Sequence, residues 1–325
     1  NRSRSIMKKT TALLQLFNRN KIFVLAGGGC PMHAKIAQAA GFEAAYMSGA
    51  NTAAWIYGLP DAGIITMDEM VRNAQYMANS VDIPLLCDSD QGFGNAINVR
   101  RTVQAFIRAG AAGIHIEDQV APKRCGFVKG KEVIPLDEAV GKYRSAVDAK
   151  NELDPDFVII SRCDARGSAG GTIEDVIVRL NAYKEAGVDV LYFEGPQSLE
   201  ELLQVREAVE GPLISTLGFI DPAPTVEAMG NLGLAAAFFP GLIASPGLAA
   251  SWDFAHDFME RGVEALNERS TLYKNHPMSN FGMFDLMDFP KIREWEERYL
   301  PKELVETKYA TSSGLYDPGE ANRLA

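Results

Sequence analysis

Eight times along this chain a short apolar run breaks off at glycine or polar residues, and longer stretches of helical spacing lie between the runs. The runs cover 23–26, 44–47, 83–86, 113–116, 157–160, 190–193, 212–214 and 235–239. They are continuous rather than alternating, as strands buried on both faces are, and so predict a parallel sheet. The stretches 67–79, 96–109, 136–150, 173–186 and 199–209 carry apolar residues at helical periodicity. Gly110 and Gly187 stand just past two of these ends, where a left-handed cap is expected. Eight alternating units without a break in composition predict an α/β fold, one (β/α)8 TIM barrel over 7–273. A doubly wound open sheet is the alternative. Residues 246–273 and 283–299 also read as helical, and Phe289, Trp295 and Tyr299 are expected to pack on the barrel or on a neighbouring subunit. The segment 274–325 is thus a C-terminal helical extension with a polar tail, expected to be poorly ordered from Thr311. Residues 1–6, ahead of Met7, are set aside as a cloning remnant.

A barrel places its chemistry at the C-terminal ends of its strands. Here those ends read Gly27-Gly28-Gly29, Ser48-Gly49-Ala50, Asp88-Ser89-Asp90, Glu117-Asp118, Arg162-Cys163-Asp164, Glu194 and Ser215-Thr216. The net charge of -10 argues against a nucleic-acid backbone or an anionic membrane as partner. It leaves room for a small anionic substrate held by a local basic cluster such as Lys123, Arg124 and Arg162. Four cysteines lie far apart, at 30, 87, 125 and 163, with no CxxC pair. Neither a zinc site nor a disulfide framework is expected, and a reducing cytoplasm fits best. No apolar run has the length of a membrane span.

Asp88 and Asp90, two apart at a strand end, suit Mg2+ or Mn2+ when joined by Glu117 at the next strand end. A polar turn capping the helix near Asn95 is the plainer account. Cys125 sits between Lys123-Arg124 and Gly126; basic neighbours favour thiolate, and a loop with glycines at 126 and 130 could close over substrate. An ordinary buried cysteine is the alternative. Arg162 suits a bidentate grip on a carboxylate, or equally a structural ion pair with Asp164 or Glu117. Gly49 and Ala50 could offer backbone N–H groups to an anion, and Tyr46 could transfer a proton or belong to the core. Gly27-Gly28-Gly29 lacks the dinucleotide spacing and reads as a tight turn at the barrel mouth. His115 reads as a hydrogen-bonded histidine inside the barrel.

Five motifs then carry a resemblance: Tyr46-Met47-Ser48-Gly49-Ala50, Gly58-Leu59-Pro60-Asp61, Asp88-Ser89-Asp90-Gln91-Gly92-Phe93-Gly94-Asn95, His115-Ile116-Glu117-Asp118 and Pro122-Lys123-Arg124-Cys125-Gly126. Arg162-Cys163-Asp164-Ala165 and Phe193-Glu194 follow in order. From about Leu25 to Gly241 the chain resembles the isocitrate lyase/phosphoenolpyruvate mutase superfamily, in the branch of methylisocitrate lyase, dimethylmalate lyase and carboxyphosphonoenolpyruvate mutase. The resemblance implies a barrel enzyme, a homotetramer with a C-terminal helix swapped between subunits. It implies Mg2+ bound directly by Asp90, with Asp88 and Glu117 holding metal waters. Ser48, Gly49, Ala50 and Arg162 would bind the 2-oxo or 2-hydroxy carboxylate, and Asp61, Gly126, Phe127, Glu194 and Thr216 would complete the substrate pocket. Cys125, with Lys123 beside it, would protonate the enolate-like carboxylate left by carbon–carbon cleavage, and Tyr46 would be the base on the substrate hydroxyl. The implied reaction splits a substituted 2-hydroxy-dicarboxylate, of alkylmalate or alkylisocitrate type, into pyruvate or glyoxylate plus a carboxylate. Phosphonate mutase or hydrolase chemistry and oxaloacetate hydrolysis are the rival enzyme readings, and a non-catalytic binding protein is the rival of another class.

Three positions depart from that pattern. Phe127 stands where the family's loop has histidine, Cys163 where it has threonine, and Thr216-Leu217-Gly218-Phe219 where it has Asn-Met and an acid. Each makes the expected pocket less polar, which argues against isocitrate or methylisocitrate and for an alkyl-substituted malate.

Overall fold

The eight runs form eight parallel strands: β1 Phe23–Gly28, β2 Ala44–Met47, β3 Leu85–Asp88, β4 Gly113–Glu117, β5 Val158–Cys163, β6 Val190–Glu194, β7 Leu213–Thr216 and β8 Ala236–Phe239. They neighbour one another in chain order, with β8 returning to pair with β1. The Ala235 N–H donates to the Leu213 carbonyl at 2.9 Å and brings the two ends of the sheet together. This is the expected (β/α)8 barrel; a doubly wound sheet would reverse its strand order midway. The computed structural model describes residues 7–279 and 281–319. The set-aside leader, position 280 and the end of the expected tail, 320–325, lie outside the described residues.

Helices wrap the sheet: α1 Lys9–Asn18, α2 Pro31–Ala39, the single turn α3 Gly49–Thr52, α4 Met67–Ser80, α5 Ala96–Ala109, α6 Leu136–Leu153, α7 Ile173–Glu185, α8 Leu199–Ala208 and α9 Val226–Asn231. Their starts follow local chemistry. Thr66 and Thr172 each accept from the third backbone N–H of their helix while Glu69 and Asp175 reach back to the cap, closing capping boxes. Gly110 ends α5 at φ 91°, a left-handed conformation that favours glycine.

Because side chains alternate along a strand, each strand feeds two cores. The outward set packs against the helices and includes Ala26, Met47, Cys87, Ile114, Ile116, Cys163 and Phe193. The inward set fills the barrel with Leu25, Leu86, Ile160, Ile214 and Phe238, closed below by Leu13 and Phe17 of α1. Phe17 meets Phe23 edge to face, ring centres 5.1 Å apart. Gly27 to Gly29 do not make the expected tight turn, since Gly27 and Gly28 lie within β1. They serve close approach: a Cβ on Gly27 would lie 2.1 Å from the Pro240 carbonyl oxygen, and one on Gly29 2.3 Å from Asn51.

The chain divides into two compact units, 1–246 and 247–325. The second holds most of α10 Ala244–Arg261, then α11 Val263–Leu272, α12 Gly282–Leu286, α13 Phe289–Tyr299 and α14 Lys302–Thr311. Its helices leave Trp252, Trp295 and Tyr299 exposed. Among the described residues no helix is long and apolar enough to cross a membrane.

Phe17→Ala opens a void at the closed end of the barrel, remote from the strand C-termini. The expected loss, about 3–5 kcal/mol for a buried aromatic, is read by denaturant unfolding; at low temperature the folded fraction keeps its activity.

Candidate active site

The same alternation that builds the inner core decides what faces the barrel mouth. Tyr46, Asp88, His115, Glu117, Arg162, Tyr192, Glu194 and Thr216 all fall on the inward parity of their strands. Strand register then pairs Asp88 with His115, Glu117 with Arg162, Arg162 with Tyr192 and Glu194 with Thr216. Above them opens a cavity of about 620 Å³, lined among others by Tyr46, Ser48, Ala50, Asp61, Asp88, Cys125, Gly126, Phe127, Arg162, Glu194 and Thr216.

Arg162 is the centre of this array. Asp164 takes its Nε and Nη2 at 2.9 Å each, while Glu117 lies 3.5 Å from Nη1 and Glu194 3.9 Å from Nη2. The structural ion pair and the cavity-facing guanidinium are therefore one and the same. Burial would lower its pKa, but Asp164, Glu194 and Tyr192 hold it charged. Glu194 in turn accepts from the Tyr192 hydroxyl and, at 2.7 Å, from Thr216 Oγ1.

A second cation, Lys123, is buried between Asp61 at 2.5 Å and Asp90 at 2.8 Å. Burial opposes its charge; Asp90, Glu117, Asp88 and Asp61 outweigh that and keep it protonated. Burial pushes Asp90 up to about 6 against the pull of Lys123, and pushes Glu117 well above the usual carboxyl range. Burial would raise Asp88 too, but His115, Lys123 and Arg162 hold it low. Both Glu117 oxygens are buried without a hydrogen-bond partner. Among the described residues no three acidic, histidine or cysteine side chains stand close enough to bind a metal by themselves. A cation that keeps most of its water shell needs only one or two direct carboxylates.

Two expectations on strand β2 change. Gly49 does not line the cavity, because its N–H is spent on Asp88 Oδ2 at 3.0 Å and a Cβ there would strike the same oxygen. Ser48 and Ala50 do line it. The Tyr46 hydroxyl sits 2.7 Å from His115 Nε2 and 3.4 Å from Asp88 Oδ2. Burial and the Asp88 charge push its pKa well up, so it rests as a phenol rather than a phenolate base. His115 is pulled down to about 4 by burial and is neutral.

The thiol loop is tied at several points. Gln119 accepts from the Arg124 N–H and donates to its carbonyl, both at 2.9 Å. The Cys125 N–H donates to the Asp61 carbonyl at 3.1 Å, and buried Lys131 donates to the Gly126 carbonyl while facing Asp164 at 3.6 Å. The sequence places Lys131 and Gln119 on the loop but gives no sign of these contacts, because a lysine or glutamine in a loop normally faces water; Tyr192 was findable, two residues before Glu194 on one strand face. Gly126 is the point of closest approach: a Cβ there would lie 2.0 Å from Glu194 Oε1 and 2.7 Å from Arg162 Nη2. Despite its basic neighbours Cys125 is not a thiolate. Burial raises its pKa, and Lys123 and Arg162 only partly offset this. Cys163 is fully buried on the outward face of β5, so that departure does not touch the pocket. Phe127 and the 216–218 segment do.

The profile of the family described as phosphoenolpyruvate phosphomutase matches residues 13–252. The chain is 35% identical to 2,3-dimethylmalate lyase of Eubacterium barkeri, over 90% of this chain and 99% of the relative. A crystal structure of 2,3-dimethylmalate lyase superimposes with TM-score 0.82 at 29% identity, covering 95% of this chain and 99% of that one. Phosphonopyruvate hydrolase, solved with oxalate and Mg2+, superimposes with TM-score 0.79 at 28% identity over 91% and 100%.

Gly126→Ala forces the loop off Glu194 and Arg162 without touching the hydrophobic core. The expected result is native circular dichroism with kcat/KM reduced by about 10²-fold or more, the usual cost of misplacing a reacting group by about 1 Å.

Proposed function

The chain belongs to the phosphoenolpyruvate phosphomutase family, and on that premise we propose that it is a carbon–carbon lyase splitting an alkyl-substituted malate into pyruvate or glyoxylate plus a carboxylate. The observation that carries this reading is the thiol loop pinned against the Arg162–Glu194 pair, with Cys125 protonated at the edge of a cavity whose floor is acidic.

Asp61, Asp88, Asp90, Glu117, Asp164 and Glu194 surround three cations, Lys123, Lys131 and Arg162. An anionic substrate entering this mouth needs further positive charge. The unpartnered oxygens of buried Glu117 fit Mg2+ or Mn2+, which Asp88, Asp90 and Glu117 would hold. When bound, such an ion would polarise the 2-hydroxy or 2-oxo acid and stabilise its developing negative charge.

The protein's own groups do the rest. Arg162 and the Ser48–Ala50 turn bind the carboxylate of the hydroxy acid. The bond between C2 and C3 breaks, its electron pair passing to C3 and the carboxylate attached there. The C2 hydroxyl becomes a carbonyl and gives its proton to Tyr46, which passes its own to neutral His115 at 2.7 Å. Cys125 delivers its thiol proton to C3, and atoms and electrons balance without an outside oxidant or reductant. A thiol with a raised pKa is the right species for an acid.

Cys125→Ser and Asp90→Ala are each expected to lower turnover of substituted malates by about 10²-fold or more, the span of a lost acid catalyst or charge stabiliser. Full turnover in both would refute the assignment. Mg2+ together with oxalate should raise the melting temperature of the native protein and leave that of Asp90→Ala unchanged. Because the active form of Cys125 is the protonated one and its pKa is raised, the rate holds through neutrality and falls only above the ordinary thiol range near 8.5; an alkaline limb below that range would contradict an acid role.

A further inference from the structure

Besides its charged residues, the cavity is lined by the apolar Phe127, Leu217, Met229, Phe239 and Leu242 and by Gly218. Met229 comes from α9 and Phe239 from β8, while Phe127 and the Leu217 and Gly218 pair come from two loops that meet. The Phe127 ring lies 5.3 Å from that of Phe219, and a Cβ on Gly218 would come within 2.5 Å of the Phe127 ring. Glycine at 218 therefore lets the thiol loop seat its phenyl ring on the segment after β7. Phe127 is nevertheless 50% exposed, so its ring closes a rim rather than filling a core.

We propose that this apolar lining is a subsite for an extended apolar group on C3 of the malate, the carbon that receives the Cys125 proton. The inference rests on the lyase reading and names its substrate class. Phe127 lies two residues beyond Cys125 on the same loop, and both side chains line the same cavity. The volume of about 620 Å³ is that of a small-molecule site of ordinary size. Among the described residues Arg162 is the only cationic side chain lining the cavity, and Asp164 already holds it at two points. A third carboxylate would meet phenyl, aliphatic and thioether groups with no cation to receive it, and burying an unpaired charge is prohibitive. An alkyl chain meets none of that cost and gains contact at each carbon.

The test uses the full chain with Mg2+ and two matched series bearing methyl, propyl, pentyl or heptyl groups. One is C3-substituted malates, followed by glyoxylate release. The other is the 2-alkylsuccinates, which lack the hydroxyl, cannot react, and are followed by calorimetry. Affinity for the succinates is expected to rise roughly fourfold per added methylene, the worth of one buried CH2, at least as far as pentyl. The malates should show the same slope in kcat/KM, and Phe127→His and Leu242→Asn should flatten both. Equal binding across the succinates, or tighter binding of a tricarboxylate than of pentylsuccinate, would overturn the subsite. Absence of glyoxylate from every malate, and of pyruvate from the same malates carrying a C2 methyl group, would instead refute the lyase reading, and the succinate slope would still decide the subsite.

Discussion

The structure turns on a guanidinium buried in the mouth of a barrel. Removing an ion from water costs several kcal/mol even after relaxation, and that cost is recovered only when the geometry satisfies it. Arg162 meets the condition with a two-point contact to Asp164 and longer ones to Glu117 and Glu194. Two of those acids answer to a further group: Lys131 faces Asp164, and Thr216 and Tyr192 hold Glu194. The reactive loop is fastened to the same array through the Lys131 contact to the Gly126 carbonyl. On the proposed function, substrate grip, acid placement and electrostatic balance would therefore share one network, in which disturbing any member disturbs the others.

Strand alternation explains why so much of the site was legible in the sequence. The eight runs announced the barrel, and their polar ends announced the mouth. Tyr46, Asp88, Glu117, Arg162, Glu194 and Thr216 share one parity, which fixes their direction before any coordinates are consulted. The same rule turns Cys163 outward, although its place in a motif drew it into the pocket reading. What the sequence could not show was contact at a distance. The clamp of Gln119 on Arg124, the reach of Lys131 across the loop and the capture of the Gly49 N–H by Asp88 depend on how loops settle, and no periodicity encodes that.

Glycine at 27 and 28, expected in a tight turn, was misread in a related way. At Gly27, Gly28, Gly126 and Gly218 its value lies in the space a side chain would occupy, not in an unusual dihedral angle. Likewise the expected thiolate at Cys125 followed from its basic neighbours in sequence. In space Lys123 is committed to Asp61 and Asp90, so burial decides the protonation state. Charge near a group along the chain and charge available to it are different quantities.

Two consecutive loop positions answer to opposite constraints. At 126 the walls stand within 2.0 Å of any added carbon, whereas at 127 half the side chain faces open space. Under the proposed chemistry, substitution at 127 could change which substrates the site admits one step from a crowded position, because what the loop touches on one side is ionic and fixed and on the other greasy and negotiable.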